Sequence, residues 1–263
     1  MKMLQFPGLN RHCNIYHFIT TRYGGVSQGA YHSMNLGEYC GDDIEDVSSN
    51  RVLLSDYWGI SANRLFTPYQ IHGAEIGILN DRFVHLPKEK QSDFLYGIDA
   101  LITNERAVCI AVSTADCVPV IVYAPDKKVS AVIHAGWRGT VQYIVVKTIQ
   151  KMIDVFQCDP SQMYAGIGPS ISKDAFEVGE EVADVFRQTF TDVSDILFYD
   201  QKTGKAHLDL WETNRLQLIS SGLLSDHIDV SGICTYLQCD EFFSARRLGI
   251  HSGRMLSGII INE

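Results

Sequence analysis

Two apolar runs rich in β-branched residues, Val118 to Tyr123 and Val129 to Ile133, follow one another with only a short turn between them. Each is flanked by a residue able to do chemistry. Thr114-Ala-Asp-Cys117 leads into the first run, and His134-Ala-Gly-Trp-Arg-Gly139 leaves the second. Two strands paired in this way bring a thiol and an imidazole to one edge of a sheet. From Thr140 to Phe156 the apolar period changes to 3.6, with Val141, Ile144, Val145, Ile149, Met152, Ile153 and Phe156 on one stripe. A strand pair followed by a helix with one apolar face must bury that face on the sheet, which makes the fold class α/β.

The flanking chain extends this pattern. Residues 12 to 20 alternate as a strand, and Gly24-Gly25 ends it in a turn that carries Arg22. Asp42 or Asp43 is placed to cap a helix running to about Trp58, with Val47, Leu53, Leu54 and Trp58 on one face. Phe66 to Asn80 reads as a strand interrupted by His72-Gly73, where a glycine marks a bulge or a close backbone approach. Asp99 to Thr103 and Ala107 to Ser113 join the two central runs in one core sheet. Further strands are expected at Met163 to Ile167, Ala206 to Leu210, Ile228 to Cys234 and Ser257 to Ile261. Further helices are expected at Phe176 to Phe190 and at Glu212 to Ser221, the latter stopping at Gly222. Strands and helices alternate without strict βαβ repetition, and no repeat, low-complexity tract or linker divides the chain. The expectation is one α/β domain over residues 1–263, a mixed central sheet flanked by helices.

Charge and composition narrow the partners. The formal net charge is −9 and no run of five or more Lys/Arg occurs, which disfavours nucleic acid and anionic membrane surfaces while leaving room for a local basic pocket. Met1 to Gly8 lacks the apolar core of a secretory signal, and no stretch approaches the ~18 apolar residues of a membrane span. A cytoplasmic protein acting on a small molecule is expected. The seven cysteines form no C-x-x-C pair, so reduced thiols are expected, any important one serving as a metal ligand or a nucleophile.

A catalytic zinc site commonly has three His, Cys or carboxylate ligands and one open position. Cys117 and His134, with His72 as third member, supply such a set. Gly73 and Gly136 open backbone space beside each histidine, and Asp116 precedes the cysteine. Side chains of these types beside a core strand also pack and hydrogen-bond without any metal. A further reading makes Cys117 a nucleophile with a histidine base, in acyl transfer or amide hydrolysis. Gly136-Trp137-Arg138-Gly139 sits between strand and helix, where free N–H groups and Arg138 would favour a phosphate or a carboxylate. Equally, Trp137 packs and Arg138 is solvated. Arg22 and the pair Arg246-Arg247 either point into the same cleft or lie on the surface. Cys234 and Cys239 match no common zinc spacing and are read as structural.

Nine segments, in order, carry a resemblance: Thr21 to Ser27, Met34 to Gly37, Gln70 to Gly73, Asp99 to Thr103, Ala115 to Pro119, His134 to Gly139, Gly166 to Ile171, Phe176 to Gly179 and Phe242 to Arg247. The chain resembles the laccase-domain or YfiH-like family, also called multicopper polyphenol oxidases or peptidoglycan editing factors. The resemblance implies zinc ligands at His72, Cys117 and His134, and an α/β fold like that of bacterial cytotoxic deamidase toxins. It further implies phosphorolysis of adenosine, inosine and methylthioadenosine to free base and ribose 1-phosphate, with adenosine deamination beside it. On that reading Cys117 and Asp116 are catalytic, Asp116 as acid or base or as a partner that orients a ligand. Phosphate and substrate are then taken by Arg22, Asn35, Gly136, Arg138, Gly139 and Arg247. The chain departs from the family pattern at Leu248, where an acidic residue is usual, and at Ser252, where Thr is usual. The nine histidines are scattered with no His-x-His pair, which ranks multicopper oxidase chemistry low and leaves copper an adventitious occupant of the zinc site. The competing enzyme class is an amidase that edits peptidoglycan precursors.

Overall fold

Every residue of Val118–Ala124 and Val129–Ala135 is buried in the computed structural model, which describes residues 1–262, and all but Ser130 and His134 are apolar. In chain order the strands are β1 (Met3–Leu4), β2 (Ile15–Thr20), β3 (Leu65–Phe66), β4 (Ile76–Leu79), β5 (Ala100–Thr103), β6 (Cys109–Thr114), β7 (Val118–Ala124), β8 (Val129–Ala135), β9 (Tyr164–Ile167), β10 (Glu177–Val178), β11 (Leu197–Tyr199), β12 (Ala206–Leu208), β13 (Ile228–Val230) and β14 (Met255–Ile261). The helices are α1 (Ile44–Tyr57), α2 (Asp81–Val84), α3 (Lys88–Leu95), α4 (Trp137–Val141), α5 (Ile144–Phe156), α6 (Glu180–Thr189), α7 (Leu210–Ser220) and α8 (Ala245–Leu248). No helix among the described residues is long and apolar enough to cross a membrane.

The α/β class stands, but the single core sheet of the sequence reading divides. A six-stranded sheet has the order β13-β9-β7-β8-β5-β4, a five-stranded sheet the order β1-β2-β14-β6-β3, and a small sheet the order β10-β12-β11. β6 pairs with β14 rather than with its chain neighbour β7, so the strands on either side of Cys117 lie in different sheets. The two large sheets pack face to face. Ile110, Val112, Ile259 and Ile261 of one meet Leu101, Ile121, Tyr123 and Val132 of the other. Val118, Val120 and Val122 turn the opposite way, onto Ile144, Ile149 and Met152 of α5. Beyond the five-stranded sheet, Phe18 and Leu256 pack with Leu54 of α1. The order of layers is helix, sheet, sheet, helix. A strand buried on both faces reads as a continuous apolar run, so such a run does not tell which sheet it joins.

Several boundaries shift for local reasons. His72 does not interrupt a strand; residues 67–75 form the connection between β3 and β4. The helix expected from Thr140 starts three residues earlier and breaks at Tyr143, whose φ of 60° is left-handed. The helix expected from Phe176 begins only at Glu180, because Glu177 and Val178 pair with β12. Asp43 caps α1 by accepting from the Glu45 N–H, and Val47 and Leu54 are buried, but Leu53 is exposed. All seven cysteines are free thiols.

His17 on β2 shares the inter-sheet face with Ile15 and Ile19, is 1% exposed, and accepts the Phe6 N–H through Nε2 at 2.7 Å. Burial pushes its pKa down from 6.5 to about 4. The unfolded chain therefore binds the proton more readily, and stability falls as pH drops from 6.5 towards 4. Replacing His17 with Gln is expected to remove roughly 3 kcal/mol of that pH dependence. Denaturant unfolding of both proteins across the interval checks it; curves of equal slope against pH would refute the assignment.

Candidate metal centre

Two chain crossings between the large sheets meet at one end of the molecule. Ala115 to Cys117 carries the chain from β6 into β7, and residues 67–75 carry it from β3 to β4. In the β7–β8 register Val118 pairs with Ala135 and Pro119 with His134, which brings Cys117 beside the end of β8. Gly136 keeps that junction open: a Cβ there would lie 3.1 Å from Cys117 Sγ and 3.3 Å from His72 Cδ2. Gly139 allows α4 to lie on the His72 loop, since its Cβ would come 2.8 Å from the Gly73 carbonyl oxygen.

The loop itself is held from two sides. Gln70 donates to the Ser113 carbonyl at 2.9 Å and accepts the Ser113 N–H at 2.8 Å, which fastens it to the end of β6. Asp99, fully buried, accepts the N–H of His72 at 3.0 Å and of Gly73 at 2.7 Å, and those contacts fix His72 in a left-handed conformation with φ 63°. The same carboxylate accepts from His134 Nδ1 at 2.7 Å. This bond sets the tautomer and leaves Nε2 of His134 free to bind a ligand. Ala100 pairs with Ile133 across β5 and β8, and that register puts Asp99 opposite His134.

The ligand atoms of His72, Cys117 and His134 lie within 4.8 Å of one another. The two imidazole rings meet edge to face with centroids 4.8 Å apart. Burial by itself would raise the Cys117 thiol, but the charge of His134 and hydrogen bonds to His134 and His72 outweigh it and favour the thiolate. Burial opposes a charged His134, yet Cys117 and Asp99 push its pKa up. Asp99 is likewise held below the usual carboxylate range, its burial outweighed by His134 and by the Gly73 and Ile71 N–H groups. A thiolate and two imidazoles are a donor set that fits a metal, with His134 buried, His72 exposed and a side open to solvent.

These groups form one wall of a cleft of about 620 Å³ that also presents Tyr39, Tyr69, Phe176, Arg246 and Arg254. Asp116 lines it too, in a left-handed conformation with φ 87°; its carboxylate accepts from Thr235 Oγ1 at 2.6 Å and from the Arg246 N–H at 2.7 Å. Other residues singled out from the sequence fall outside the lining. Arg138 is exposed and stacks over the Trp137 ring at 4.3 Å, because α4 begins at Trp137 and turns its second residue outward. Arg22 donates to the His32 and Cys239 carbonyls and lies over Phe243. Arg247 lies over Tyr236. Asn35 is fully buried and accepts the N–H groups of Gly37 and Arg254.

Two groups of the site, Asp99 and Arg254, escaped the sequence reading, and a third, Arg246, was named there as a cleft candidate and does line the cleft. Asp99 had one signal, a carboxylate at the head of an apolar run that pairs with the His134 strand. Arg246 was visible only as half of a pair, and nothing local marked Arg254.

A family model described as "Multi-copper polyphenol oxidoreductase laccase" matches residues 16–262. The chain is 45% identical to a purine nucleoside phosphorylase of Bacteroides thetaiotaomicron, over 100% of this chain and 97% of the other. It is 38% identical to adenosine deaminase RL5 from an unknown prokaryotic organism, over 92% of each chain. Among solved structures, YlmD from Geobacillus stearothermophilus superimposes with a TM-score of 0.91 at 33% identity, covering 100% of this chain and 97% of that one.

Asp99→Asn tests the link between the two histidines. Oδ1 of Asp99 takes the His134 ring proton and the His72 N–H while Oδ2 takes the Ile71 and Gly73 N–H groups, so an amide nitrogen in place of either oxygen leaves two of the four donors without an acceptor. Metal affinity, measured by competition with a chelator, is expected to fall about 10- to 100-fold with the far-UV circular dichroism unchanged. An unaltered affinity would show that the carboxylate orients neither ligand.

Proposed function

Because the chain belongs to the multi-copper polyphenol oxidoreductase laccase family, some of whose members are named for purine nucleoside chemistry, we propose that it is a zinc-dependent purine nucleoside enzyme. Its reaction is phosphorolysis of adenosine, inosine or methylthioadenosine to free base and ribose 1-phosphate, with deamination of adenosine as a second activity. The observation that carries this reading is the trio of His72, Cys117 and His134 on the wall of a cleft of nucleoside size. Two imidazoles, one thiolate and an open side suit zinc in a catalytic role. Bound there, zinc would supply Lewis acidity to polarise a substrate group.

In phosphorolysis a phosphate oxygen bonds to the anomeric carbon of the ribose while the bond from that carbon to the purine nitrogen breaks. The electron pair leaves with the purine, and the proton of the phosphate hydroxyl ends on the base. The chain's part is to hold both reactants in line, keep water from taking the place of phosphate and neutralise the phosphate charge. Tyr39, Tyr69 and Phe176 offer aromatic surface to a purine. Asp99 keeps the histidines in place, and Asp116 holds the Arg246 end of the cleft. Deamination acts at the opposite end of the purine, where water replaces the exocyclic amine and ammonia leaves. A single metal centre serving both reactions requires the nucleoside to bind in two orientations. A cytoplasmic location and small-molecule partners accompany this reading.

One observation favours a second reading. Cys117, His134 and Asp99 also form a nucleophile, base and orienting carboxylate, the arrangement of a cysteine amidase, which would suit a peptidoglycan precursor. A polyphenol oxidase is less well supported: among the described residues the trio is the one group of three or more potential metal ligands.

Elemental analysis combined with an adenosine-plus-phosphate assay decides between them. About one zinc per chain and phosphate-dependent release of base are expected. Cys117→Ala should lose the metal and the activity and keep the fold. Full metal content in that variant would refute the ligand set, and a metal-free wild type that hydrolyses amides would establish the cysteine enzyme.

A further inference from the structure

We infer that Arg246 and Arg254 form an oxyanion subsite in the metal cleft, and that its ligand is inorganic phosphate. This rests on the phosphorolysis reading, which needs a second, doubly charged substrate beside the nucleoside. Both arginines line the same cleft as the trio. Neither takes part in an ion pair among the described residues, whereas Arg51, Arg187 and Arg215 are each paired with a carboxylate. Asp116 meets Arg246 through the backbone only, its two oxygens being engaged by the Thr235 hydroxyl and the Arg246 backbone N–H.

Arg254 is oriented without being neutralised. Its Nη1 donates to the carbonyls of Ser252 at 2.6 Å and Gly253 at 3.0 Å, and its Nη2 to that of Ile250 at 3.1 Å. A guanidinium has five N–H donors, so two remain free. The stem of the side chain lies on Gly37, where a Cβ would come 2.7 Å from its Cγ, and Asn35 accepts its backbone N–H at 2.8 Å. The Ser252 hydroxyl closes the same turn by donating to the Gly249 carbonyl at 2.7 Å. Arg246 spends a single donor, on the Glu177 carbonyl at 3.1 Å, and lies over the Phe176 ring at 5.4 Å. Two planar, charged forks held by neutral partners on one cleft carry the charge and the paired donors that phosphate takes. Asp116 is a positioning residue for this subsite: it immediately precedes Cys117 and fixes the start of α8, which ties the anion group to the metal ligand.

Titration of the metal-loaded enzyme with inorganic phosphate, read by calorimetry, is the test that does not depend on turnover. Saturable binding is expected in the wild type, weakened about tenfold or more in both Arg246→Gln and Arg254→Gln. In the assay, the KM for phosphate should rise by a similar factor while zinc content and nucleoside KM hold. Arg254 also supports its own turn, so Arg246→Gln, whose side chain meets only a carbonyl and a ring face, keeps the test independent of folding. Phosphate binding unchanged in Arg246→Gln, or weakened by Arg138→Gln instead, would overturn the subsite. A wild type that binds phosphate and loses that binding in Arg246→Gln, yet releases no base, would keep the subsite and reject the phosphorolysis reading.

Discussion

The buried carboxylate of Asp99 is the contact on which the site depends. It accepts from a histidine on β8 and from three backbone N–H groups of the loop that carries the other histidine. Without it, His72 would sit on a nine-residue connection, residues 67–75, fastened at Gln70 but with nothing to fix the left-handed backbone of His72 itself. An isolated carboxylate in the core would be expensive, but four donors make the charge tolerable and keep its pKa low. The negative charge in turn favours the imidazole proton on Nδ1, and the other ring nitrogen is thereby directed toward Cys117. One side chain thus determines a loop conformation, a tautomer and the separation of two candidate ligands.

That dependence explains what could be read from the sequence and what could not. Cys117 and His134 were legible because each adjoins an apolar run, and two adjacent runs form a hairpin whose ends meet. His72 was legible through its glycine, although the glycine signalled a loop rather than a bulge. Asp99 stood at the head of a strand, where a polar residue looks like a boundary. Only the pairing of Ala100 with Ile133 gives it a partner, and register is a property of the folded sheet. The expectation for Arg138 came from local geometry at a helix start, and a shift of that start to Trp137 was enough to turn the side chain outward. Arg254 depends on Asn35, which lies far away in the chain, so no window of sequence contains the reason for its orientation.

The division into two sheets was hidden for a related cause. β6 and β7 are both apolar on both faces, and a run of this kind fits the centre of any covered sheet. What separates them is the short link from Ala115 to Cys117, which includes a left-handed aspartate. Asp116 can adopt that conformation at modest cost because its side chain is anchored by Thr235 and Arg246.

Two of the chain crossings between the large sheets bear candidate metal ligands, His72 on one and Cys117 on the other. An ion held by the trio would therefore act as a clasp across the seam between the sheets. Its binding energy would resist any sliding of one sheet over the other, so that opening the seam and releasing the ion become one event. A substitution deep between the sheets, at Val112 or Val132, would then be felt first as a leakier grip on the ion, long before the fold itself gave way.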